Sequence, residues 1–151
     1  MPHSTGPTLW LLVALIILVW PLFFIALWSA IVYGMSRLGG WHRLARTHGS
    51  AALAPEGRIY QAITGMIGIS SYKRVLTIIC SDKGMLVTVR WVFRMGHPPL
   101  FIAWSDVRNA RRMTLFYRDY VAFDIGDPRI ASMRLPLQVF DDMPVFIETG
   151  R

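Results

Sequence analysis

The sequence predicts a single membrane-spanning helix followed by a mainly β domain, and two observations support this fold class. Residues 9–32 read LWLLVALIILVWPLFFIALWSAIV and contain no charged residue. At ~1.5 Å rise per residue, this segment exceeds the roughly 30 Å hydrocarbon core of a bilayer. From Arg58 onward, short apolar and β-branched runs alternate with turn residues, which is typical of antiparallel strands. We therefore expect an N-terminal transmembrane α-helix plus a mainly β domain, a small antiparallel barrel or sandwich with a short C-terminal helix.

Composition agrees with a chain that lies partly outside water. Hydrophobic residues make up 54% of the 151 residues, and the mean hydropathy is +0.41, which is high for a soluble domain of this size. The net charge is +7, and arginine supplies almost all of the positive charge. The single cysteine, Cys80, excludes an intrachain disulfide and suits a reducing compartment.

These signals divide the chain into four segments. They are an extracytoplasmic tail over 1–8, a transmembrane helix over 9–35, a juxtamembrane linker with a short amphipathic helix over 36–57, and a cytoplasmic β-rich domain over 58–151.

The charges that flank the apolar segment predict its orientation. No lysine or arginine precedes it, whereas Arg37, Arg43 and Arg46 follow closely. The positive-inside rule therefore places the N-terminus outside and the β domain in the cytoplasm, as a single-pass protein. A cleaved signal peptide is the main alternative, but the first eight residues, MPHSTGPT, lack the positive charge that such peptides begin with.

Small residues recur within the apolar segment. Ala26, Ala30 and Gly34 are four residues apart, so they form a ridge on which a second helix can pack closely. We expect the lipid bilayer as one partner, and another membrane protein or a second copy of this chain as the candidate helix partner. A plain anchor without a helix partner is the alternative.

The linker contains a short amphipathic pattern, WHRLARTH, after Gly39-Gly40. Trp41 and Leu44 share one face of a helix, while Arg43 and Arg46 fall elsewhere. In one interpretation the helix lies in the membrane interface, with its arginines near anionic headgroups. In the other, Trp41 and Leu44 dock on the domain that follows.

The β domain shows a succession of strand and turn signals. We expect a hairpin of residues 75–80 and 85–93 around the turn 81–84, a third strand over 100–104, a second hairpin of 113–117 and 120–125 around Arg118-Asp119, a short strand over 133–135, and a helix after Pro136. The order of these elements is similar to that of bacterial pleckstrin-homology-like barrels, in which antiparallel hairpins precede a capping helix.

The stretch MGHPPLFIAWSDV at residues 95–107 is interpreted mainly as a folding element. Its two prolines cannot extend a strand ladder, so they hold the chain extended into LFIAW. Ser105 or Asp106 is then placed to cap a turn or short helix that carries Val107 and Arg108. A recognition surface is the alternative role of the stretch.

Three segments, GWHRLA, GMLVTV and HPPLFIAWSDV, resemble a family of uncharacterised bacterial proteins that are small and often membrane-anchored. The resemblance covers most of residues 40–135. It implies that the membrane is the bacterial inner (cell) membrane, and it brings no activity with it. Ala103 stands where this family often has proline.

Motifs of catalysis are not evident. The sequence contains no G-x-S-x-G, no H-E-x-x-H and no Walker loop. Cys80 lies in an apolar strand, where a buried hydrophobic role is expected. We predict no cofactor and no metal site, and an enzyme would need a site that no local motif reveals.

The most suggestive charged feature is an arginine cluster in VRNARRMTLFYRDY. Three interpretations compete: contact with anionic lipid, contact with an acidic protein patch, or a solvated basic face. The residues concerned are Arg108, Arg111, Arg112 and Arg118.

Nucleic acid is an unlikely partner. Arg90 and Arg94 interleave with Trp91 and Phe93, as on surfaces that stack bases. Strand alternation, however, places these aromatics together on one face, which is the pattern of a strand that faces a core.

Together these observations predict a non-catalytic, single-pass inner-membrane protein that acts as an interaction module or accessory subunit of a membrane complex. The first alternative is a membrane-surface sensor that binds anionic lipid or a small ligand, and the second is an enzyme without a recognisable motif.

Overall fold

A computed structural model describes residues 6–50 and 56–141 of the chain. Helix α1, Pro7–Leu38, begins with proline in its first turn, where a missing N–H costs nothing. The helix continues through Pro21 and ends at Gly39. It is long and apolar enough to cross a membrane, and an 18-residue window within it has a mean hydropathy of 2.8. The expected N-terminal helix is thus present, and its ends extend slightly beyond 9–35.

The rest of the described chain forms one antiparallel sheet of seven strands, curled into a half-barrel. In spatial order the strands are β4-β3-β2-β1-β7-β6-β5, and this confirms the expected fold class. The bounds are β1 Arg58–Ile67, β2 Ser70–Ser81, β3 Gly84–Val89, β4 Leu100–Ala103, β5 Val107–Leu115, β6 Arg118–Ile125 and β7 Ala131–Pro136. A short helical turn, Leu137–Val139, follows β7, and residues 142–151 of the expected C-terminal helix lie outside the described part.

The core lies on the inner side of the curled sheet. Helix α2, Trp41–His48, packs into the open side, and Trp41 and Leu44 are fully buried there. Residue Gly49 then pairs with Leu100 of the edge strand β4, which leaves less of that edge open to other chains. Val139 and Phe140 add to the same core after β7.

The first hairpin is shorter than the sequence predicted. Strand β3 ends at Val89, and Trp91–Phe93 form a 3₁₀ turn instead of continuing the strand. Local hydrogen bonds replace the ladder, because the N–H of Phe93 bonds to the carbonyl of Arg90. The predicted alternation is therefore wrong here, since Trp91 is 77% exposed rather than facing the core.

The second hairpin turns two residues earlier than predicted. Leu115 pairs with Arg118, so Phe116 and Tyr117 are the turn residues and both have positive φ, 48° and 62°. Two such residues match the tight hairpin turns that fit the twist of adjacent strands. A 3₁₀ turn covers Trp104–Asp106, and Val107 already belongs to strand β5, not to the turn or short helix that we expected after Ser105 or Asp106.

Candidate functional site

The β domain contacts the last third of α1 directly. Val32 and Ser36 of the helix are buried against it. The ring of Trp28 lies 5.6 Å from that of Phe93, and the Ser36 hydroxyl donates to the carbonyl of Gly96. The helix and the loop after β3 therefore form a packed junction rather than a loose tether.

Glycine allows the close approach at this junction. Gly96 has φ +75°, and a Cβ there would lie 2.9 Å from the ring of Tyr33. Gly68, in the turn between β1 and β2, has φ +57°, and a Cβ there would overlap the carbonyl of Gly39. A side chain at either position would strain the backbone and separate the two surfaces.

A buried histidine lies directly beneath the junction. His97 Nδ1 is 3.2 Å from the carbonyl of Met95, and Nε2 is 3.0 Å from the Tyr72 hydroxyl. A carbonyl only accepts, so we assign the proton of the neutral ring to Nδ1, and Nε2 accepts from Tyr72. Trp41 Nε1 donates to the carbonyl of Pro98 at 3.0 Å. These bonds support the interpretation of this stretch as a folding element.

Burial shifts the ionisation of both partners. It lowers the pKa of His97, against opposing hydrogen bonds to the backbone of Met95 and Phe93. It raises the pKa of Tyr72 to about 12, against a hydrogen bond with Ser70. Both side chains are almost fully buried. The two pKa shifts favour the neutral forms of the imidazole and the phenol, so the pair is uncharged near neutral pH.

Cys80 is also closed to solvent. Its side chain is 2% exposed, and burial raises the pKa of its thiol to about 11. Across residues 6–50 and 56–141, no three His, Cys, Asp or Glu side chains are grouped as a metal site would require.

The small-residue ridge of α1 lies away from the domain. At ~100° per residue, Ala30 and Gly34 fall about 120–160° around the helix from Val32 and Ser36, whereas Ala26 is only about 80° from Ser36. Gly34 meets open space, because no other atom lies within 4 Å of a Cβ built there. The ridge is therefore accessible to a second helix.

The residues predicted to lie at the membrane interface, Trp41, Arg43, Leu44 and Arg46, do not form one surface. Trp41 and Leu44 are fully buried in the domain core, so the interfacial-helix interpretation is wrong for these two side chains. Burial in a protein core satisfies their apolar surface as well as lipid would. Arg43 and Arg46 remain exposed.

The four arginines of the predicted basic cluster are separated by the strand geometry. Arg112 forms an ion pair with Asp119, and its hydrogen bond holds the pKa of that carboxyl below the usual value. Arg118 lines a polar cleft of about 500 Å³ with Arg74, at the opposite end of β6 from Ile125.

Arg108 and Arg111 share the outer face of the sheet. A bulge between them lets Arg108 pair with Asp124 and Arg111 pair with Ala122. Asn109 within this bulge has a positive φ of 52°. In a regular strand, residues three apart face opposite sides of the sheet. The extra residue of the bulge therefore places Arg108 and Arg111 on the same side.

The outer face also contains arginines that the sequence did not reveal. Ala122 pairs with Arg111 on one side and with Arg134 on the other. Arg129, in the turn between β6 and β7, approaches Asp124 at 3.8 Å. Together they line a cleft of about 540 Å³, which we call the arginine cleft: Asn109, Arg111, Ala122, Phe123, Asp124, Arg129, Ser132, Met133 and Arg134.

The alternation of β7 could have indicated that Arg134 faces outward, since its neighbours Met133 and Leu135 are apolar. Its distance from Arg111 depends on strand order, which the local pattern does not contain. Comparison with protein-family models, curated proteins and solved structures gives no match. The resemblance to membrane-anchored bacterial proteins therefore stays a prediction.

Proposed function

We propose that the chain is a non-catalytic, single-pass protein of the bacterial inner membrane, with its N-terminus outside and its β domain in the cytoplasm. It acts as an interaction module or accessory subunit of a membrane complex. The observation that supports this most directly is the packed junction between α1 and the β domain, because it gives the domain a fixed orientation relative to the helix.

The depth of the junction follows from the length of the helix. Residues 9–28 are 20 residues, which at ~1.5 Å each span about the 30 Å of a hydrocarbon core. Trp10 and Trp28 then lie at the two interfaces, where tryptophan is enriched. Phe93 touches Trp28, so the loop after β3 reaches the cytoplasmic interface.

The side chains of this loop suit an interface. Trp91 and Met95 are 77% and 59% exposed in the protein, and Arg90 and Arg94 flank them in the chain. Apolar and aromatic groups at the level of the headgroups, with arginines beside them, favour contact with lipid. The domain then rests on the membrane through this loop as well as through α1.

A fixed domain and an open helix ridge suit an accessory subunit. A partner helix on Ala26, Ala30 and Gly34 would approach mainly from the side of α1 that faces away from the domain. The domain would therefore not obstruct the partner helix. Because the domain is fixed on α1, its cytoplasmic surfaces would keep a constant orientation relative to that partner.

Cross-linking mass spectrometry in native membranes, with a tagged copy at native expression, tests this proposal. We expect one abundant membrane partner at near-fixed stoichiometry, and its loss in the variant Ala26→Leu/Ala30→Leu. The variant Ile25→Leu/Ile31→Leu is the matched control, because it changes apolar side chains outside the ridge. Cross-links only within this chain would contradict the accessory-subunit role.

A second candidate function is a membrane-surface sensor that binds anionic lipid or a small ligand. The arginine cleft favours it, since positive charge is concentrated on one face of the sheet. The similarity in element order to pleckstrin-homology-like barrels points to the same class. A sensor should tolerate the ridge variant and respond to loss of arginines on the outer face.

A further inference from the structure

We infer that the arginine cleft binds a phosphate group, carried either by an anionic lipid headgroup or by a soluble phosphorylated molecule. This inference deepens the sensor function and needs no protein partner. The arginines concerned differ from those of the cluster predicted from the sequence. Only Arg111 is common to both, and in the cleft it is joined by Arg129 and Arg134.

The charge of the cleft is not neutralised internally. Within the described part of the chain, no carboxylate forms an ion pair with Arg111 or Arg134. Asp124 is the one acid of the lining, and it already accepts a hydrogen bond from Asn109 at 3.2 Å and lies 3.8 Å from Arg129. The Arg134 guanidinium has a neutral contact, from Nη1 to Met66 Sδ on β1 at 3.9 Å, so it and the Arg111 guanidinium both keep their charge to attract an anion.

The spacing of the two arginines suits one shared anion. Both pair with Ala122 from neighbouring strands, so their Cα atoms are about 10 Å apart across two strand spacings. Between them the floor is only a methyl group, and the Ser132 hydroxyl adds a donor to the lining. Planar guanidinium groups bind phosphate oxygens through paired N–H donors, and a phosphate has enough oxygens for both.

The cleft lies near the C-terminal end of α1. The carbonyl of Ser132 accepts from the N–H of Gly68 at 2.8 Å, and Gly68 lies against Gly39 at the end of α1. Arg134 is two residues further along β7, or ~7 Å. The cleft thus lies towards the end of the sheet where α1 ends, and this helix end is about 16 Å along α1 from Trp28.

The test uses the full chain in nanodiscs. Native mass spectrometry measures phosphatidylglycerol retained from discs that mix it with phosphatidylcholine. Calorimetry measures inorganic pyrophosphate binding in discs of phosphatidylcholine alone. The variant is Arg111→Gln/Arg134→Gln, and the matched control is Arg74→Gln/Arg118→Gln, which removes the same charge from the other polar cleft.

We expect the cleft variant to lose roughly tenfold or more in affinity for the anion, at about 1 kcal/mol per arginine near a charged surface, and the control to lose much less. Loss of phosphatidylglycerol retention supports a lipid ligand, and loss of pyrophosphate binding supports a soluble one. Equal weakening in both variants, or binding of neither anion by the unmodified chain, overturns the inference. Cross-links to a membrane partner are measured separately, so that proposal stands or fails independently.

Discussion

At the scale of single residues, two tyrosine hydroxyls offer a matched comparison. The hydroxyl of Tyr72 supplies the donor for buried His97. The hydroxyl of Tyr60 is also buried, and it has no hydrogen-bond partner within residues 6–50 and 56–141. The same chemical change at the two positions should therefore have different consequences for stability.

We expect Tyr72→Phe to lower the free energy of unfolding by about 1–3 kcal/mol, because it leaves an acceptor of His97 buried and unpaired. Tyr60→Phe should be neutral or stabilising, because it removes a polar group that gains nothing from the fold. Chemical denaturation of the detergent-solubilised chain measures both. Equal losses in the two variants would contradict the assigned hydrogen bond.

The depressed pKa of His97 predicts a dependence of stability on pH. The unfolded chain binds a proton at this residue below about pH 6.5, whereas the folded chain resists it. The free energy of unfolding should therefore be level above about pH 6.5 and fall as the pH decreases below it, by at most ~1.4 kcal/mol per pH unit.

The variant His97→Gln isolates this contribution, since glutamine keeps a donor and an acceptor but does not titrate. The contact between His48 and Asp106 is common to both chains, so it cancels in the difference. Denaturation curves of both chains between about pH 5 and pH 7.5 make the comparison. Parallel pH profiles would mean that another group causes the dependence.

At the scale of secondary-structure elements, the glycines of the junction can be tested in the same paired way. Gly96→Ala forces a side chain into positive φ and against Tyr33, so we expect a loss of about 2 kcal/mol or more. In the variant Gly34→Ala, the added methyl group points into open space on the opposite helix face, so the stability should change little. Thermal unfolding in detergent distinguishes the two, and an unstable Gly34→Ala chain would argue that the helix faces are assigned wrongly.

The accuracy of the sequence prediction also differs between elements. The apolar run of α1 and the turn at residues 81–84 were predicted well, because composition and turn chemistry determine them locally. The second hairpin was displaced, because Phe116 and Tyr117 adopt positive φ, which few side chains do. Helix α2 was ambiguous, since an amphipathic face suits lipid and a protein core equally well.

At the scale of the whole molecule, the arginine cleft depends on strand order. Arg111 and Arg134 lie on strands that are neighbours of β6 but not of each other, and long-range pairing of this kind leaves no local signal in the sequence. The loop after β3 lies beside Trp28 through a tertiary contact between residues far apart in the chain, and such a contact also leaves no local signal in the sequence. The cleft follows from the order of the strands, and the position of the loop follows from the packing of the sheet against α1.

The position of the loop after β3 beside Trp28 predicts how deeply this loop lies when the full chain is in a bilayer. A nitroxide on Trp91→Cys should collide more with oxygen, which concentrates in lipid, than with a water-soluble nickel chelate. Tyr117→Cys is the control, because this side chain is 104% exposed at a hairpin tip roughly 25 Å along β6 from Ile125. It should collide mainly with the chelate.

Cys80 can remain in place during labelling, since its buried thiol has a pKa of about 11 and little of it is the reactive thiolate at neutral pH. The unsubstituted chain should accordingly take up almost no label. If positions 91 and 117 are equally accessible to the chelate, the loop does not reach the bilayer. The β domain would then be rigid on its helix but held clear of the membrane surface.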